Sequence, residues 1–335
     1  MLDSFDDFSL ASGLGGLVLL RLEESLRSPS IENCQILSVE LEKLLRNPRK
    51  DLSLFYGEGA DLWLLNKYLQ HIPSSTLATE LLVRYQKWKV RSRQLLTLPG
   101  RSELIRGAVG FGVLGRSMKD DEFLEEILTY FETQSPHFFR LEDTGDVSSD
   151  SGTLSRVTDL GLAHGISGIL AFLVSYEGSP EEERARRLSE VIFTTLAREA
   201  EAKKLLPKFT PDGENSWHQG WCYGNLSTAY ALKLAGSVWE TKKYTVLADS
   251  LWEAGLNFHE VNLREIPDHL CHGKASLNLL SALMDSLQKF PMNQDRTKKE
   301  GGFLNGEIGV RLALLRDGRF SLSRWEDLLL LGRSL

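Results

Sequence analysis

The sequence predicts an all-α fold of repeated helical hairpins, on three observations. A polar or small residue, then glycine, then a small residue and an apolar run recur seven times, with first glycines at 13, 57, 107, 165, 224, 273 and 306. The spacing of roughly 33 to 60 residues fits hairpins with loops of unequal length. Between these marks the apolar residues follow helical periodicity, and no stretch shows sustained period-two alternation with turn pairs, so strands should be few. If each mark opens one helix that a second follows, the chain holds about fourteen helices.

The marks are Ser12-Gly13-Leu14-Gly15-Gly16, Tyr56-Gly57-Glu58-Gly59, Arg106-Gly107-Ala108-Val109-Gly110, His164-Gly165-Ile166-Ser167-Gly168, Tyr223-Gly224-Asn225, His272-Gly273-Lys274-Ala275 and Asn305-Gly306-Glu307-Ile308-Gly309. Helices are expected over Ile31 to Arg46, with Ile31, Leu37, Val39, Leu41, Leu44 and Leu45 as one stripe, and over Leu77 to Leu98, Glu122 to Thr133 and Glu182 to Ala202. Glycine at a loop-to-helix junction permits positive φ and close backbone approach, and leaves the first N–H groups and positive dipole of the helix uncovered. Were the marked helices to pack as an inner ring, their N-terminal ends would gather at one face. Two loops stand out: Asp143 to Asp159, polar and expected to be exposed, and Leu206 to Gly220, with Pro207, Pro211 and Gly213.

Composition is that of a soluble globular chain, read as one domain over 1–335: 42% hydrophobic, 25% charged and a formal charge of −7. That balance argues against nucleic-acid or anionic-membrane affinity, and the basic run Lys87 to Arg93 reads as a solvated helix face. The start of the chain is acidic rather than signal-like, and Leu17 to Leu20 is too short to span a bilayer. Three cysteines cannot build a disulfide framework, which suits a reducing, cytoplasmic setting.

The chemistry-bearing residues cluster at the marks. Cys222 lies in Trp221-Cys222-Tyr223-Gly224, and Cys271-His272 in Leu270-Cys271-His272-Gly273. Two thiolates and an imidazole are a zinc set, and three protein ligands rather than four leave one position for water or substrate. His164 also sits just before a marked glycine, so it would point to the same place. Cys34, with no partner motif, reads as a buried small side chain. Trp217 and Trp221 read as loop packing more than substrate grip, and His269 as no fourth ligand.

Gly-Leu-Ala-His-Gly-Ile-Ser-Gly-Ile-Leu (161–170), Trp-Cys-Tyr-Gly (221–224) and Leu-Cys-His-Gly (270–273) together resemble the lanthionine synthetase C-like family, and the weaker marks extend the resemblance over nearly the whole chain. It implies an α/α toroid of about seven helical hairpins and a zinc-dependent cyclase that makes the thioether rings of lanthipeptides. By that resemblance Cys222, Cys271 and His272 match the zinc ligands, His164 the catalytic histidine, and Tyr223 a tyrosine that accompanies the zinc cysteine. The chain departs from the family at four places. Glu103 stands where an aspartate is usual and His218 where an arginine is usual; Leu226-Ser227 and Ala275-Ser276 replace Pro-Gly and Ala-Gly.

The reaction so implied is a Michael addition. A peptide cysteine, made a thiolate by zinc, would add to the β-carbon of a dehydroalanine or dehydrobutyrine in the same peptide. His164 is the candidate acid for the α-carbon or base for the thiol. His218 is a candidate cation for the enolate, and Glu103 orients His164 or relays protons. The partners expected are a dehydrated precursor peptide of leader plus core, with a dehydratase and exporter complex at the membrane periphery as further candidates. Alternatives are addition of glutathione to dehydroamino acids, or a zinc-stabilised scaffold holding a peptide or dehydratase. An α/α-barrel glycosidase ranks last, with only Glu103 and Asp159 as its candidate carboxylates.

Overall fold

The computed structural model describes residues 7–98, 100–134, 158–203, 205–210, 219–262, 266–286, 290–292, 301–316 and 321–332. Among them are twelve α-helices: α1 Leu14–Arg27, α2 Ile31–Leu45, α3 Glu58–His71, α4 Ser75–Leu95, α5 Ala108–Ser117, α6 Asp121–Gln134, α7 Ile166–Leu173, α8 Glu182–Ala202, α9 Asn225–Val238, α10 Lys242–Asn262, α11 Lys274–Leu283 and α12 Glu307–Leu315. Seven of them, α1, α3, α5, α7, α9, α11 and α12, begin directly after a marked glycine. Each packs on the next, and α12 packs back on α1, closing an inner ring. Helices α2, α4, α6, α8 and α10 pair with the inner helices that precede them, forming the outer layer.

The two layers differ in sequence because they differ in surroundings. Inner helices are covered on both sides, so α7 is buried along its whole length, Ile166 to Leu173. Outer helices bury one stripe: α4 buries Leu81, Tyr85, Trp88, Lys89 and Ser92. On α2, Leu37, Leu41, Leu44 and Leu45 are buried whereas Ile31 and Val39 of the expected stripe are exposed. The basic run at 87–93 is not simply a solvated face. Lys89 is buried and grips Asp120 and Glu122, while Arg91 pairs with Glu58 and Arg93 with Glu126. Ser30 and Ser74 cap α2 and α4 by accepting the N–H of Asn33 and Leu77.

Among the described residues the helices number twelve, against the about fourteen implied by the repeat. The last two marks open α11 and α12, and among the described residues neither is followed by an outer α-helix. Residues 321–332 instead turn inward through a 3-10 turn, Trp325–Leu329. The buried Glu23 carboxylate of α1 accepts the N–H of Leu322 and Ser323 and the Ser323 hydroxyl. Asp327 reaches Lys67 of α3 at 3.7 Å, and Leu328 to Leu331 are fully buried. Trp221 Nε1 donates to the carbonyl of Leu329 at 2.9 Å. The segment thus fills the space enclosed by the ring, under the loop that carries Cys222. Strands are few, as expected: β1 Thr158–Asp159 and β2 Phe209–Thr210 form one antiparallel pair.

At the marks, a run of backbone hydrogen bonds ties neighbouring loops together, spanning every junction but the one between the loops of Gly57 and Gly107. Leu304 N–H donates to Ala11 O, Ala11 N–H to Phe55 O, Leu104 N–H to Ala163 O, Ala163 N–H to Cys222 O, Cys222 N–H to Cys271 O and Cys271 N–H to Leu304 O, at 2.9–3.2 Å. Every accepting residue stands two positions before a marked glycine.

The marked glycines meet one half of the sequence expectation, close backbone approach, and, Gly224 apart, not the other, positive φ. Gly13, Gly57, Gly107, Gly165, Gly273 and Gly306 have φ between −109° and −131°, which any residue adopts, and of the seven only Gly224 has a positive φ, 104°. What excludes a side chain is contact: a Cβ on Gly57 would lie 2.3 Å from Asp51 O, and one on Gly165 2.2 Å from Asp159 O. Nor are the helix starts open. Leu14, Glu58, Ala108 and Lys274 donate their N–H to the carbonyls of Asp7, Asp51, Arg101 and Pro267 in their own loops.

Candidate metal centre and its rim

Because Cys222 and Cys271 occupy the same register position in adjacent repeats, the backbone bond between their loops sets them side by side. The Cys222 Sγ, Cys271 Sγ and a His272 ring nitrogen lie within 4.8 Å of one another, with Cys222 Sγ 4.0 Å from His272 Nδ1. Tetrahedral zinc, with bonds of about 2.3 Å to sulfur and about 2.1 Å to nitrogen, separates S and N by about 3.6 Å. The three side chains therefore fit the ion after small side-chain shifts. Among the described residues no fourth His, Cys, Asp or Glu joins the group. Interaction with Cys271, then burial, pushes the Cys222 thiol well above its usual pKa, and His272 only partly offsets them. Metal binding favours the thiolate form of such a ligand and so would relieve Cys222. His269 packs edge-on against the His272 ring at 4.3 Å and lies outside the cluster, as expected.

The residues one position before the marked glycines, Ser12, Tyr56, Arg106, His164, Tyr223, His272 and Asn305, share a register around the ring. His164 stacks on Tyr223, with centroids 5.7 Å apart. Its Nδ1 lies 2.9 Å from Glu103 Oε2, and Glu103 also accepts the backbone N–H of Ile105 and Arg106. Burial alone would lower the His164 pKa. It is outweighed by the hydrogen bond to Glu103 and that carboxylate's charge, with Asp159 and Cys222 adding, so the imidazole stays protonated to higher pH than a free one. Tyr223 donates its hydroxyl to Asp159 Oδ2 at 2.7 Å, and Asp159 also accepts the N–H of Gly161. Burial raises Asp159 to about 6 despite these bonds. Asp159 is buried rather than on an exposed loop, because β1 pairs with β2 there.

The structure thus brings together Cys222, Cys271, His272, His164, Tyr223 and Glu103. His218, Trp217 and residues 143–157 of the first loop lie outside the described residues. Trp221 is fully buried and packs against Phe55, so it is a core residue. Cys34 is half-buried on an open groove beside Tyr68 and Ile72 rather than in the core. Three rim residues escaped the sequence reading. Tyr56 lies close enough to Cys271 and Glu103 to feel their charges, Arg106 sits over the Tyr56 ring at 4.9 Å, and Lys208 over the Tyr223 ring at 4.6 Å. The place of Tyr56 and Arg106 just before a glycine was the available signal.

A family model described as lanthionine synthetase C-like protein matches residues 4–300. The chain belongs to this family. No curated protein sequence matches it. Among solved structures, a nisin cyclase superposes on this lanthionine synthetase C-like chain with a TM-score of 0.76 at 17% identity, covering 98% of this chain and 93% of the other. That likeness establishes the fold, an α/α toroid. Among the described residues, no helix is long and apolar enough to cross a membrane.

Proposed function

We propose that the chain, one cyclase-like domain over 1–335, is a zinc-dependent lanthipeptide cyclase that closes thioether rings in a dehydrated precursor peptide. The observation that carries this reading is the three-donor cluster of Cys222, Cys271 and His272 next to a carboxylate-held imidazole, His164. Zinc bound there would supply acidity to a peptide thiol, favouring the thiolate at neutral pH. The remaining work falls to the protein's own side chains. Adding a thiol across a dehydroalanine or dehydrobutyrine forms one sulfur–carbon bond at Cβ and requires one proton at Cα. His164, held protonated by Glu103, delivers that proton. Glu103 fixes the ring through Nδ1 and so leaves Nε2 for the substrate. Tyr223, anchored on Asp159, walls the ring on one face and limits its orientation. His218 is assigned the developing enolate charge.

The family membership supports a peptide substrate; a dehydratase acting before this chain, and a cytoplasmic place at a membrane-associated assembly, are part of the same proposal. The His164–Glu103 pair favours an enzyme over a zinc-stabilised scaffold, since a scaffold needs no oriented acid. Incubating the zinc-loaded protein with a dehydrated cysteine-containing peptide and counting free thiols by alkylation tests the reading. Loss of thiols with no change in peptide mass is expected; intact thiols with zinc bound would overturn it.

A further inference from the structure

The rim of the site treats its charges unequally. Three of its carboxylates have partners: Glu103 holds His164 and the N–H groups of its own loop, Asp159 holds Tyr223 and Gly161, and Asp7 holds Ser9 and Ser12. Arg106 and Lys208 form no ion pair with any of these, although the Lys208 charge acts on Asp159 from further away. Each rests on the face of a rim tyrosine. Elsewhere Arg49, Lys89, Arg93 and Arg184 each grip a carboxylate, while Arg116, which also rests on a tyrosine ring, is tied to the Ser175 carbonyl instead. The chain carries a formal charge of −7, yet among the described residues neither of these two rim cations has a carboxylate within ion-pair distance.

Their placement is built in. Arg106 stands in the same register as His164 and His272, and its backbone N–H is tied to Glu103, which itself holds His164. The Lys208 carbonyl accepts the N–H of Leu160, next to the β1–β2 pair, so its side chain starts from a fixed point beside Tyr223. Arg106 belongs to the mark preceding that of His164, and Lys208 leans on the tyrosine of the mark that follows, so the two flank the imidazole. A tyrosine face steadies a cation without consuming its hydrogen-bond donors. An arginine so held offers a planar fork that matches a carboxylate, and lysine offers a point charge.

We infer that Arg106 and Lys208 are the substrate-gripping cations of this site and that it takes an acidic peptide, with carboxylates on either side of the reacting segment. This rests on the peptide-cyclase reading above and adds to it the class of sequence preferred. Each contact is exposed to water, so each is of the size of a modest charge-assisted hydrogen bond, about tenfold in affinity. Screening by salt should weaken it.

The test uses two short fluorescein-labelled peptides, each with one cysteine and one dehydroalanine, flanked by glutamates in one and by glutamines in the other. Binding to the zinc-loaded full chain is read by fluorescence anisotropy, and thiol loss is counted in the same samples. The glutamate peptide is expected to bind about tenfold or more tightly than the glutamine peptide, with the gap narrowing as salt rises. Arg106→Gln and Lys208→Gln should each reduce the gap and the double variant should abolish it, while the charge-keeping Arg106→Lys and Lys208→Arg retain most of it. Equal affinity for the two peptides, or a gap that survives in the double variant, overturns the inference. Thiol loss without a glutamate preference leaves the cyclase reading standing and removes this one. A glutamate preference without thiol loss does the reverse.

Discussion

His164 shows how a few contacts set a residue's chemistry. With Glu103 beside it, the ring keeps its proton where a free imidazole would release it, so the rate of ring closure should fall as pH rises through this raised value. In Glu103→Gln the neighbouring charge is gone and the fall should move to lower pH, which a pH–rate profile reads directly; an unshifted profile would remove Glu103 from this role. The same pair bears on stability. A folded-state pKa above the unfolded one contributes stability that is fully present below about pH 6.5 and lost as pH rises through the folded value. The metal ligands make a sharper prediction. Cys271→Ala should release zinc and end cyclisation, whereas His164→Ala should keep zinc and slow or misdirect closure. Zinc retained at full stoichiometry in the Cys271 variant would defeat the ligand assignment.

The repeated element is a loop folded tightly enough that its glycine has no room for a side chain. Gly57 has an ordinary negative φ, so alanine there is excluded by overlap with Asp51 O, not by backbone strain. Gly57→Ala should cost about 2 kcal/mol in urea unfolding, as an overpacked buried site does. Gly178 is the contrast: its φ is 72° and a Cβ there meets nothing within 4 Å. Alanine at 178 should cost only the left-handed penalty, about 1 kcal/mol. Equal costs at the two sites would mean that overlap is not what the marks conserve energetically. An aspartate six positions before the glycine recurs in three loops, where Asp7, Asp51 and Asp159 each accept the N–H two residues on. In sequence the three aspartates are separated by loops of varied length elsewhere and by many other acidic residues, which hides the repeat.

At the scale of the molecule, the toroid is closed by α12 packing on α1, reinforced by the backbone bonds between neighbouring loops, and it is filled by residues 321–332. That segment satisfies Glu23, buries Leu328 to Leu331 and holds Trp221, the neighbour of Cys222. Removing residues 321–335 should therefore destabilise the chain by more than about 3 kcal/mol, since a buried carboxylate and apolar core lose their partners together. Trp221→Phe is the milder probe: it should leave the helix content intact and weaken zinc retention against a chromophoric chelator. Unchanged retention would show that the filling segment does not support the metal loop.

The helical class, the inner helix starts and the three-donor set were all legible in the chain itself, because periodicity and ligand type are local properties written in neighbouring residues. The boundaries Ile31–Leu45 and Glu182–Ala202 fall within a residue of expectation for that reason. What only the tertiary structure decided was which loop lies beside which. Cys222 and Cys271 meet because the N–H of the first donates to the carbonyl of the second, Glu103 reaches His164 across 61 positions of sequence, and Lys208 arrives at Tyr223 through a two-residue strand too short to leave a pattern. The final segment carries no mark in the sequence and becomes the filling of the ring, since the cavity that needs it exists only once seven helices have closed around it.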